Sequence, residues 1–196
     1  MKNLIDIQEQ TIHAVEHAAL FVQQEMGKIR QSDIETKSLN SLVTYVDKES
    51  EKILVKELQK IIPNASFLTE EHTVEPSQGE WQWIIDPLDG TTNFIHQIPS
   101  FGISVGLKHN EEIVVGVVKE LNRNELFYAT KNQGAFLNNK PINVTTTASL
   151  SDCLTATGFP YYEFDLMQEY MQTLAHLMAH TRGIRRLGAA AIDLCY

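Results

Sequence analysis

Apolar residues recur at helical spacing along the first third of the chain. Ile12, Val15, Ala19, Val22, Met26 and Ile29 fall at steps of three and four residues, one stripe of an amphipathic helix over about 6–29. Residues 31–41 are polar and read as a loop or hairpin. A second stripe, Val46, Ile53, Leu54, Leu58, Ile61 and Ile62, predicts a helix that opens after Thr44 and stops at Pro63-Asn64. The period then shortens. Residues 65–69 and 82–85 read as strands, and 113–118, 125–129 and 135–137, separated by Asn- and Gly-containing turns, read as an antiparallel meander. Residues 101–107 alternate large and small side chains, which gives a strand one bulky face and one flat face that a helix can approach closely. From Ser149 the texture changes to a strand at 153–157, a helix at 165–180 with Leu166, Met167, Tyr170, Leu174, Leu177 and Met178 as its apolar side, a strand at 184–187, and a helix opening at Gly188-Ala189-Ala190. The expected class is layered α/β. Two long helices lie on a mixed, largely antiparallel sheet in 1–148, followed by a second α/β part in 149–196.

One stretch carries chemistry that the pattern does not require. Trp83-Ile84-Ile85-Asp86-Pro87-Leu88-Asp89-Gly90-Thr91-Thr92-Asn93-Phe94 begins as a buried strand. Asp86 stands where that strand should end, because Pro87 cannot donate to a continuing ladder. Asp89 follows on a tight turn, Gly90 lets the backbone pass close to a ligand, and Thr91-Thr92 opens a short helix with its first N–H groups unpaired. Two Asp-containing turns are a sufficient bland explanation of the string. Two carboxylates facing an anion-binding helix end also suit a hard divalent cation between protein carboxylates and a phosphate.

The strand at 65–69 also runs into acids, Glu70 and Glu71, so adjacent strands would place carboxylates at one sheet edge. Successive residues point to opposite sides, which favours Glu70 over Glu71 as the inward one. Thr44 and Asp47 have the spacing of a capping box, a structural reason for Asp47 that needs no catalysis. The pairs His13/His17 and His176/His180 lack further ligands nearby and read as surface histidines.

Composition narrows the partners. The 196-residue chain is 43% hydrophobic and 21% charged, with a net charge of −9. That balance disfavours a nucleic-acid backbone as partner. No apolar run is long enough to cross a membrane. Two distant cysteines, Cys153 and Cys195, fit a reducing cytoplasm and a role as small buried hydrophobes.

The string WIIDPLDGTTNF resembles the signature of the inositol monophosphatase family, within the magnesium-dependent, lithium-sensitive sugar phosphatases. KSLNSLVTYVD, FLTEE and QGAFLNNKPI are similar to further family segments. The resemblance implies an αβαβα sugar-phosphatase fold and hydrolysis of a small-molecule phosphate monoester, myo-inositol 1-phosphate first, with two or three Mg²⁺. It implies Glu70, Asp86, the Leu88 carbonyl and Asp89 as metal ligands. Thr91, coupled to Asp47, and Glu70 would activate water. Leu88, Asp89, Gly90 and Thr91 would lie against the phosphate, and Gly188, Ala189 and Ala190 against substrate hydroxyls. Lys37 would lie near the site, and a homodimer is expected from the family alone. The rivals are a phosphatase for fructose 1,6-bisphosphate or 3′-phosphoadenosine 5′-phosphate, and a binding protein without activity. The last residues, Ile192 to Tyr196, still follow an amphipathic pattern, and the family's downstream Trp-Asp metal ligand does not occur, so a truncated chain is expected.

Overall fold

The computed structural model describes residues 3–38, 41–75, 77, 79–160 and 163–196. Helix α1 runs Leu4–Glu25, with the Asn3 side chain accepting from the Ile5 N–H at its start. It ends before Ile29 because Gly27 takes a left-handed φ of +74°. Strands β1 (Ile34–Ser38) and β2 (Ser41–Thr44) form an antiparallel hairpin. The Lys37 side chain lies outside the described residues. Helix α2 (Tyr45–Ile61) opens with the expected capping box, Thr44 with Asp47.

Seven strands make the main sheet: β3 (Ser66–Thr69), β4 (Trp81–Asp89), β5 (Gly102–His109), β6 (Glu112–Glu120), β7 (Glu125–Thr130), β8 (Gly134–Leu137) and β9 (Lys140–Ile142), neighbours in that order. Only β3 and β4 are parallel; every other pair is antiparallel. Helices α1 and α2 cover the bulky face, burying Trp83, Ile85, Ile103, Val105, Leu107, Val115 and Val117 against Val15, Val22, Leu54 and Leu58. Each such side chain contributes about 1.5–3 kcal/mol of burial.

Strand β4 does not end at Asp86. It runs to Asp89, with a register shift that sets Pro87 and Leu88 opposite the single Ile103. Pro87 is tolerated because a bulge needs no ladder donor at that point. The short helix α3 (Thr91–Ile95) follows from Gly90.

Beyond β9, strand β10 (Leu154–Ala156) pairs in parallel with β11 (Gly183–Arg185), and helix α4 (Met167–His180) rests on β11. None of the α4 residues is buried, so its apolar side is not a core face here. Helix α5 (Ala190–Cys195) lies on the flat face of the sheet. A Cβ added at Gly102 would come within 3.2 Å of Ile192 Cδ1 and 2.3 Å of the Lys119 carbonyl oxygen, so the close approach requires glycine there. Cys153 and Cys195 are half-buried rather than buried, and both are free thiols. His17 pairs with Glu57, and His176 stacks on His180, each on the surface.

Candidate active site

The parallel direction of β3 and β4 brings their C-terminal ends to the same edge. The Glu70 N–H donates to the Ile85 carbonyl at 3.2 Å, which places Glu70 beside Asp86. The Glu70 and Asp86 side chains hydrogen-bond to each other. Burial, then the charges of Glu70 and Asp89, push the Asp86 carboxyl up to about 9. One Asp86 oxygen accepts from the Leu88 N–H at 3.1 Å, tightening the turn.

Asp89 faces the start of α5. Its two oxygens accept from the Ala190 N–H at 3.1 Å and the Ala191 N–H at 2.7 Å. Burial raises its proton affinity, and these two donors oppose the rise. Gly90 sits at φ +88°. A Cβ there would stand 2.9 Å from the Ser100 carbonyl oxygen and 3.2 Å from the Ala189 and Phe101 Cβ atoms, so the turn admits only glycine.

Thr91 Oγ1 lies 2.7 Å from Asp47 Oδ1 and 3.0 Å from the Leu88 carbonyl oxygen. The other Asp47 oxygen accepts from the Thr44 N–H at 2.8 Å and the Thr44 hydroxyl at 2.7 Å. Asp47 is therefore a helix cap and the partner of Thr91 at once. Burial raises its proton affinity, and donation from Thr91 and Thr44 counters it.

Glu70, Asp86, Leu88, Asp89, Gly90, Thr91, Gly188, Ala189 and Ala190 all line one cavity of about 950 Å³. Asp47 reaches it through Thr91. Sequence reasoning gave no role to Asn93, whose buried amide donates to the Ser100 carbonyl at 2.7 Å and the Leu187 carbonyl at 2.8 Å and so joins the signature turn to the Gly188 segment. It also missed Phe159, Arg186 and Asp193 on the cavity wall. Asn93 stands inside the signature string, which was a usable signal; the other three depend on contacts between distant segments.

No three His, Cys, Asp or Glu side chains among the described residues stand together as a formed metal cage. The donor set nevertheless fits a hard divalent cation. Two carboxylates close enough to share a proton, Asp86 half-buried and Glu70 exposed, repel each other when both are charged unless a cation stands between them. Asp89, though engaged by two N–H groups, keeps acceptor capacity on both oxygens.

The sequence profile of the inositol monophosphatase family matches residues 4–196. The chain is 38% identical over 186 residues to an inositol-1-monophosphatase of Rhizobium meliloti (strain 1021), covering 94% of this chain and 70% of that protein. It is equally, 38%, identical over 173 residues to the Nus factor SuhB of Pasteurella multocida (strain Pm70), covering 87% of this chain and 65% of that protein. Its fold is similar to the crystal structure of the extragenic suppressor protein suhB from Bartonella henselae, with a TM-score of 0.91 and 35% identity, over 97% of this chain and 74% of that one. No helix among the described residues is long and apolar enough to cross a membrane. Profile, relatives and fold agree with the α/β architecture described above, and the chain belongs to the inositol monophosphatase family, a family of metal-dependent phosphatases.

Proposed function

We propose that the protein hydrolyses a phosphate monoester, myo-inositol 1-phosphate, to inositol and inorganic phosphate. The observation that carries this reading is the Asp47–Thr91 contact at 2.7 Å on the wall of a cavity that also holds Glu70, Asp86 and Asp89. Glu70, Asp86, the Leu88 carbonyl and Asp89 would hold two or three Mg²⁺. Bound Mg²⁺ lowers the pKa of water and screens phosphate charge.

The remaining work falls to the chain. Asp47 takes the Thr91 proton in a hydrogen bond, which turns the Thr91 lone pairs toward the cavity to accept from the attacking water. Glu70 helps orient that water. The backbone N–H groups of Gly90 and Thr91, at the first turn of α3, have no helical partner and hold phosphate oxygens. Gly188, Ala189 and Ala190 allow the sugar ring to approach the backbone. A homodimer and a cytoplasmic location belong to the same reading.

Phosphate release from myo-inositol 1-phosphate by the full-length protein, with and without Mg²⁺, tests it. Mg²⁺-dependent turnover that Li⁺ inhibits and Asp86→Asn abolishes is expected. Faster turnover of fructose 1,6-bisphosphate or 3′-phosphoadenosine 5′-phosphate would replace the substrate. The 38% identity to a Nus factor favours a second reading, in which the fold serves as a Nus factor. That reading takes over if the folded, Mg²⁺-saturated protein releases no phosphate from any of the three esters.

A further inference from the structure

Helix α2 touches the site at three places from one face. Asp47 meets Thr91. Ser50 donates from its hydroxyl to the Pro87 carbonyl at 3.0 Å, inside the bulge between Asp86 and Asp89. Glu51 accepts from the Glu71 N–H at 2.7 Å, the Thr73 N–H at 2.8 Å and the Thr73 hydroxyl at 2.7 Å. Positions i, i+3 and i+4 share a helix face, and all three side chains are shut away from solvent, Asp47 at 1% exposure and Ser50 and Glu51 at 0%.

Glu51 is the one that packing does not explain. It sits one and two helical turns before two fully buried leucines of the same helix, Leu54 and Leu58. Placing a carboxylate there is expensive unless its oxygens are satisfied. All three of its named donors come from the loop directly after Glu70. Glu70 itself is tied to β4 through the Ile85 carbonyl. The backbone on the two sides of the Glu70 side chain is thus held by two different elements, β4 before it and α2 after it.

We propose that Glu51 is a positioning residue for the metal site: by clamping the 71–73 loop to α2 it sets the direction in which the Glu70 carboxylate meets Asp86. The inference rests on the reading of Glu70 as a metal ligand. With Asp47 and Ser50, it makes one helix face the common reference for the water-orienting threonine, the bulged metal-binding turn and the first carboxylate.

Two measurements on the full-length protein test this: Mg²⁺ affinity by calorimetry, and hydrogen exchange at the Glu71 and Thr73 amides. Glu51→Gln keeps size but replaces one acceptor oxygen by an NH₂ group, so a donor faces a donor and the loop must shift. The expected result is faster exchange at both amides and Mg²⁺ binding weaker by about 10–100-fold, the usual range for groups that orient a metal ligand. At saturating Mg²⁺, KM for the ester should be unchanged. Faster exchange with an unchanged Mg²⁺ Kd would mean a structural role only and would overturn the proposal. Glu70→Gln runs alongside. If its Mg²⁺ Kd is also unchanged, the reading of Glu70 itself fails. If it loses binding while Glu51→Gln does not, only the positioning role fails. Should Glu51→Gln not fold, Thr73→Val removes one donor and leaves the carboxylate in place. A Kd several-fold weaker, restored in Thr73→Ser, supports the proposal, and an unchanged Kd overturns it.

Discussion

The Asp47→Asn variant separates the two duties of that residue. Asp47 offers two oxygens to three donors: Thr91 Oγ1 on one, the Thr44 N–H and hydroxyl on the other. Asparagine has one acceptor oxygen. If that oxygen keeps the two Thr44 contacts, the cap survives and the new NH₂ faces Thr91. The Thr91 hydroxyl must then turn its proton to the Leu88 carbonyl, 3.0 Å away, and accept from the amide instead. The lone pair that should receive a water proton is spent, and no carboxylate stands behind it. A hydrogen bond to a charged group contributes about 1.5–3 kcal/mol, but Asp47 is buried and its charge is disfavoured there, so the neutral variant recovers part of that loss. The net change should be about 1 kcal/mol or less, a few degrees in Tm. Activity should respond far more. Losing an oriented acid–base group costs about 10²–10⁴ in rate. The assay is kcat on myo-inositol 1-phosphate at saturating Mg²⁺, with Tm recorded in parallel. Thr91→Val should lose a similar factor, and the double variant should be little worse than either single one, because the two act as a unit. A folded Asp47→Asn protein within threefold of the parent kcat, or losses that multiply in the double variant, would refute the coupling.

Gly90→Ala should destabilise the fold by about 1–3 kcal/mol, since it forces a left-handed φ on a residue with a Cβ and sets that Cβ 2.9 Å from the Ser100 carbonyl oxygen; a denaturant midpoint measures it. Asn93→Ala strands two carbonyls, of Ser100 and Leu187, that now receive the Asn93 amide, and should cost about 2–6 kcal/mol at roughly 1–3 for each group left without a donor, with KM for the ester raised because the Gly188 segment loses its tie. The metal-free protein should be less stable at pH 8 than at pH 5. Asp86 binds its proton more tightly when folded than its ordinary 3.8, up to about 9, so the folded state holds the extra proton across that window and stability falls as pH rises through it. Thermal melts in EDTA at the two pH values check the sign, and Mg²⁺ should restore most at pH 8; a flat profile would contradict it.

Much of this was legible in the sequence where interactions are local. The Thr44–Asp47 box, the glycine turn at Gly90 and the amphipathic faces of α1 and α2 depend on residues within one or two helical turns of each other. The flat face of β5 was also readable from its alternation, and α5 uses it at Gly102. The end of β4 was misread because Pro87 looks like a stop; the sheet absorbs it as a bulge, which depends on the partner strand and not on the local residues. The early end of α1 turns on Gly27, against an apolar stripe that continued to Ile29. Glu51, Ser50 and Asn93 act across gaps of 20, 37 and 94 residues respectively, in the Glu51–Glu71, Ser50–Pro87 and Asn93–Leu187 contacts. No periodicity encodes such pairings; Asn93 could be flagged only by its place in the signature string, and Glu51 and Ser50 carry no local mark of their distant partners.

The long reach of those contacts also sets an order of events. Strands β5 to β9 pair with sequence neighbours through short turns, so that part of the sheet can form by successive hairpins. The contacts of Asp89 with Ala190 and Ala191 close loops of 101 and 102 residues. Closing such loops is slow to be rewarded, and non-local pairs form late. During synthesis the signature turn leaves the ribosome about a hundred residues before the segment that it engages, and until then Asp89 has no N–H donors from α5. This corner is therefore expected to mature after the hairpins of the sheet. Pulse-labelled hydrogen exchange during refolding should find the Ala190 and Ala191 amides protected after those of β5 to β7.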